Sequence, residues 1–118
     1  ATPFCLASSG SHEKIRHSLR LTGTDRYFDG ERIFSAQDVA AGKPAPDLFL
    51  HAAARLGVPP GRCVVVEDSV PGVLAGVAAG MRVFGYAART SSRQLEAAGA
   101  TVFRSMDRLP TLLETGPR

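Results

Sequence analysis

With 118 residues, 44% of them hydrophobic, the chain is long enough for one small domain with a real core. Aromatic residues make up only 7% while Ala, Val, Leu and Gly are plentiful, which favours helices laid on a parallel sheet over a β-sandwich. The net charge of +3 comes from scattered arginines without a basic stripe, so nucleic acid is a poor candidate partner and a small anion fits as well.

The elements alternate along the chain. Pro3 to Ser8 reads as a strand, and Glu13 to Leu21 as a helix with Ile15 and Leu19 one turn apart and Gly23 as its stop. Arg32 to Ala36 is a second strand. Pro46 to Leu56 is a second helix, with Phe49, Ala53 and Leu56 on one face and Gly57 past its end. Cys63 to Val66 is the strongest strand, a β-branched run of the kind buried on both faces, stopping at Glu67-Asp68. Ser69 caps and Pro71 opens a third helix that ends near Gly80; the strand Met81 to Tyr86 follows. A fourth helix, Ser92 to Ala98, precedes a short strand at Thr101 to Phe103, and Leu109 to Leu113 closes the chain. The pattern is one α/β unit over 1–118 with a parallel sheet and flanking helices.

Cys5 and Cys63 lie in apolar runs without ligand-spaced partners, as buried thiols of a reduced, cytoplasmic protein would. No apolar run approaches the length of a membrane span. The opening Ala1-Thr2-Pro3 is neither a signal peptide nor an initiator methionine, as in a chain cut from something longer.

In parallel sheets ligands bind beyond the carboxyl ends of the strands, which brings three sets of residues together. Ser8, Ser9, Gly10 and Ser11 follow the first strand at a helix N-terminus, suited either to a phosphate or to ordinary helix capping. Lys43, within Gly42-Lys43-Pro44-Ala45-Pro46-Asp47, is aimed by two prolines, although a lysine is more often a solvated surface charge. Glu67 and Asp68 end a buried strand as adjacent carboxylates, a conflict that Mg²⁺ would resolve; capping of the next helix is the other reading.

In order and spacing these sets resemble the haloacid dehalogenase (HAD) superfamily, in its β-phosphoglucomutase-like phosphatase branch. Phe4 to Ser9 looks like the family's second motif, Lys43 through Asp47 its third, and Val65-Val66-Glu67-Asp68-Ser69 with Pro71-Gly72 its fourth. The resemblance implies a Rossmann-like core and Mg²⁺-dependent hydrolysis of a small phosphorylated metabolite, such as a sugar phosphate or phosphoglycolate, through an aspartyl phosphate. It implies that Ser8 bonds a phosphoryl oxygen, that Ser9, Gly10 and Ser11 help to cradle it, that Lys43 neutralises phosphate and nucleophile, and that Asp68 with Glu67 holds Mg²⁺. His12 would be substrate-side at most; His17 and His51 read as surface or packing residues.

The family's first motif, an Asp-x-Asp strand that supplies the nucleophile, is absent. No two of Asp25, Asp29, Asp38, Asp47, Asp68 and Asp107 are separated by a single residue. That strand would lie between the strands at Pro3–Ser8 and Cys63–Val66, so the chain is expected to be the C-terminal part of such a core. It would need an N-terminal segment of its own core, with the substrate-selecting cap domain also before Ala1, and would be inactive alone. Three other readings stand beside this one. A phosphomutase of the same branch shares every motif. A phospho-receiver domain shares the residue types but places its acid pair before its lysine. A non-catalytic binding or assembly module would account for the missing nucleophile.

Overall fold

The computed structural model describes residues 3–114. Five strands, β1 (Leu6–Ser8), β2 (Ile33–Ser35), β3 (Val64–Glu67), β4 (Arg82–Tyr86) and β5 (Thr101–Phe103), alternate with five helices. These are α1 (His12–Thr22), α2 (Asp47–Leu56), α3 (Val70–Ala78), α4 (Ser92–Ala98) and α5 (Leu109–Glu114). Every strand pairing is parallel, as the βαβ rhythm of the sequence requires.

The strands form two sheets rather than one: β1 pairs with β2, and β3-β4-β5 form the second. Among the described residues β1 and β3 share no ladder, so each has one edge without a strand partner. Helix α2 links the two sheets. Its Leu48 and Ala52 pack with Phe34 of β2, while Phe49 and Ala53, one residue round the helix, join Val65, Val73, Val83 and Leu95. Ala7 of β1 touches both clusters. Leu48, Val73 and Leu95 are wholly buried, each contributing about 1.5–3 kcal/mol of hydrophobic stabilisation.

The helix boundaries follow local chemistry. Ser11 caps α1 by accepting a bond from the Lys14 N–H, and Gly23, Gly57 and Gly99 end α1, α2 and α4 in the left-handed conformation. Ser69 caps α3 through the Gly72 N–H, with Pro71 in the first turn. Gly72 and Gly76, four residues apart, let α3 lie close on the sheet: a Cβ at Gly76 would stand 2.7 Å from Val83 Cγ2.

Two expectations are corrected. β3 is not buried on both faces. Val65 points to α3 and is buried, but Val64 and Val66, on the opposite face by strand alternation, remain 41% and 39% exposed because no helix of the described chain covers them fully. The thiols of Cys5 and Cys63 are half-buried rather than buried. Burial still pushes both up in pKa, with Cys63 adding to the effect on Cys5, so both are weak nucleophiles at neutral pH. Among the described residues no helix is long and apolar enough to cross a membrane.

Candidate active site

Lys43, from the loop before α2, reaches the carboxyl ends of both β1 and β3 and spans the gap between them. Its Nζ donates to the Ala7 carbonyl at 3.2 Å and to Glu67 Oε2 at 2.5 Å. The Lys43 and Glu67 side chains are only 10% and 9% exposed, so this lysine is not a solvated surface charge. Its ammonium also lies 5.2 Å from the centre of the Phe49 ring. An ammonium carries three N–H donors; two are spent on fixed acceptors, and the third is left to an incoming ligand.

Glu67 is equally committed. Beyond Lys43 it accepts a bond from Ser69 Oγ at 3.3 Å, and Gly72 lies so close that a Cβ there would overlap the carboxylate. Asp68, the next residue, is exposed and has no hydrogen bond or ion pair among the described residues. The two acids that the sequence presents as a pair therefore differ: Glu67 anchors Lys43, and Asp68 is open. Among the described residues no cluster of three His, Cys, Asp or Glu side chains could hold a metal by itself. Mg²⁺ needs only one or two protein carboxylates and fills the rest of its shell with water and phosphate oxygens, so Asp68 is open to such an ion, while Glu67 already holds Lys43 and Ser69.

The serine cluster after β1 also divides its labour. Ser11 performs the helix capping, whereas the Ser8 hydroxyl accepts a bond from the Gly10 N–H at 3.1 Å. A hydroxyl that accepts one bond in this way still has its O–H to donate to a ligand. Ser9 is exposed next to it.

Sequence reasoning missed what holds this loop in place. Ser35 Oγ donates to the Gly10 carbonyl, Gln37 Oε1 accepts from the His12 N–H, and Asp38 pairs with His12 Nε2 at 2.9 Å. His12 is thus engaged by Asp38. His17 is exposed, and His51 packs edge-on against Phe34. The one available signal was Ser35-x-x-Asp38, a capping box with aspartate in the usual place of glutamate.

The Asp38 carboxyl lies below its ordinary value of 3.8, held there first by the Ser35 N–H and then by His12. A depressed carboxyl adds stability that is full above the unfolded value and is lost as pH falls through the folded one. Asp38→Asn is therefore expected to melt at lower temperature than the unsubstituted chain at pH 6, with the difference closing below about pH 3.8. Melting curves from pH 7 to pH 3 check this, and a difference constant with pH would refute it.

Comparison with known proteins adds sequence and structural likenesses. A family model described as haloacid dehalogenase-like hydrolase matches residues 1–80. A 6-phosphogluconate phosphatase of Escherichia coli (strain K12) is 34% identical over 110 residues, covering 93% of this chain and 49% of the relative. A haloacid dehalogenase-like protein from Agrobacterium tumefaciens str. C58 superposes with a TM-score of 0.90 at 41% identity, over 97% of this chain and 55% of that one. A HAD family hydrolase from Deinococcus radiodurans R1, solved with bound phosphate and sodium, gives 0.87 at 36% identity, over 95% of this chain and 52% of that one. The chain thus spans about half the length of these relatives.

Proposed function

This chain belongs to the haloacid dehalogenase-like hydrolases, and from that premise we propose that its protein is a Mg²⁺-dependent phosphohydrolase of small phosphorylated metabolites. The observation that carries the reading is the tether of Lys43 between the Ala7 carbonyl, next to Ser8 in the chain, and Glu67, which leaves one ammonium N–H for a ligand.

Phosphoryl transfer is promoted by neutralising the charge on the transferring group and aligning it, and fixed donors serve better than mobile ones. Lys43 supplies the charge, while the Ser8 hydroxyl, fixed by the Gly10 N–H, and the Ser9 N–H supply oriented donors. Asp68 is the carboxylate open to Mg²⁺, which when bound would screen the phosphoryl oxygens; Glu67 contributes by holding Lys43. The residue that accepts the phosphoryl group as an aspartyl phosphate is not among the 118, because no Asp-x-Asp occurs in them, and residues 1–118 act as the part of the core that binds and orients. The gap between β1 and β3 is the place where a further strand of the same core would complete both ladders. The name of the Escherichia coli relative supports a sugar phosphate as the substrate class.

The test is turnover of p-nitrophenyl phosphate by the protein with its nucleophile-bearing segment present. EDTA is expected to abolish it and added Mg²⁺ to restore it. Asp68→Asn is expected to raise the Mg²⁺ concentration needed for half-maximal rate by about 10-fold or more, the scale on which metal sites respond to loss of a coordinating or orienting group. Turnover insensitive to EDTA would remove the metal from the reading, and no turnover of any phosphate ester would favour a binding module.

A further inference from the structure

Ser35 is the one buried polar residue among those described, and its side chain is completely shielded from solvent. Burying a hydroxyl inside an apolar cluster is unfavourable unless its bonds are made, so its partners matter. Ser35 Oγ accepts from the Gln37 N–H at 3.0 Å, which is ordinary capping, and also donates to the Gly10 carbonyl at 2.6 Å, which capping does not require. The Ser35 N–H in turn donates to Asp38 Oδ2 at 2.8 Å. Asp38 and Gln37 then grip His12, the one through its ring and the other through its backbone N–H at 2.8 Å. A turn of four residues holds the loop after β1 at two points some 25 residues away in the chain.

We propose that Ser35, Gln37 and Asp38 are positioning residues that set the geometry of the Ser8–Gly10 loop for its phosphate ligand. The proposal rests on the phosphohydrolase reading above and adds to it residues that touch neither phosphate nor metal. A peptide unit is planar, so pinning the Gly10 carbonyl towards Ser35 turns the Ser11 N–H, on the other edge of that plane, away from β2. It also fixes the residue whose N–H is bonded to the Ser8 hydroxyl, and with it the place that hydroxyl holds at the end of β1. A reacting group displaced by about 1 Å can lose on the order of 10² in rate, so a loop released from this grip fails without losing any contact group.

The test compares Ser35→Ala and Gln37→Ala in the full-length protein, the second a change at an exposed side chain that leaves the core intact. Each is expected to lower kcat for p-nitrophenyl phosphate by roughly 10-fold and to speed amide hydrogen exchange at Ser9–His12 by a similar factor, with α3 amides unchanged. In a Ser8→Ala background the further loss from Ser35→Ala is expected to shrink to about 2-fold or less, because a residue acting through Ser8 has little left to act on. Equal fractional losses in both backgrounds, or unchanged exchange in the loop, would overturn the proposal. Should the unsubstituted protein neither hydrolyse phosphate esters nor bind orthophosphate, the phosphohydrolase reading falls by itself, and loop exchange in the two variants still decides whether the grip exists.

Discussion

Lys43→Ala is expected to reduce phosphate-ester turnover by about 10²–10³-fold, the usual loss when one fixed donor to developing charge is removed. The same change is expected to destabilise the fold by roughly 3–5 kcal/mol, because it leaves the Glu67 carboxylate, 9% exposed, without its counter-charge. The two effects have separable remedies. Removing the stranded acid as well, in Lys43→Ala with Glu67→Ala, is expected to recover much of the stability and none of the turnover. Lys43→Arg should retain charge but not the tether, since a planar guanidinium cannot reproduce a point donor held between the Ala7 carbonyl and Glu67. Urea denaturation and p-nitrophenyl phosphate kinetics on the three variants decide the matter. Full turnover in Lys43→Ala would dismiss Lys43 as the phosphate-neutralising group.

The parts of the molecule that the sequence announces are those governed by neighbours a few residues apart. Helix ends at Gly23, Gly57 and Gly99 and caps at Ser11 and Ser69 follow from local backbone chemistry, and each strand appears within a few residues of its expected place, the first four differing only at their ends and the fifth not at all. Ladder partners and covering layers are not local. An apolar run such as Val64-Val65-Val66 records what a strand can bury, not what is present to bury it, which is why two of its three valines are exposed here.

The same limit applies to the site. Lys43, Glu67 and Asp68 are recognisable by type and order, but adjacency in sequence suggested that Glu67 and Asp68 share one task. β3 ends at Glu67, which lies against α3 and meets a lysine 24 residues away, while Asp68, past the strand, is exposed. The Ser35–Asp38 turn was illegible for another reason: its capping box accounts locally for those residue types, and the bond to Gly10 that gives it further meaning crosses 25 residues.

Gly72→Ala isolates the anchoring of Lys43 from its chemistry. Gly72 is the third residue of α3, where alanine is favoured over glycine by at most about 1 kcal/mol, so on propensity alone the substitution should stabilise α3. The added Cβ would overlap the Glu67 carboxylate, which cannot simply step aside while Lys43 holds one oxygen and Ser69 the other. The expected result is a destabilisation of roughly 1–3 kcal/mol, typical of overpacking, together with loss of turnover as Lys43 swings out of its tether. Shortening the obstructing side chain tests the cause. In a Glu67→Ala background, Gly72→Ala should become neutral or stabilising, because only helix propensity then remains. A sign change between the two backgrounds in thermal unfolding would establish Gly72 as the space that lets Glu67 reach Lys43; a destabilisation of equal size in both would place the cost in α3 itself.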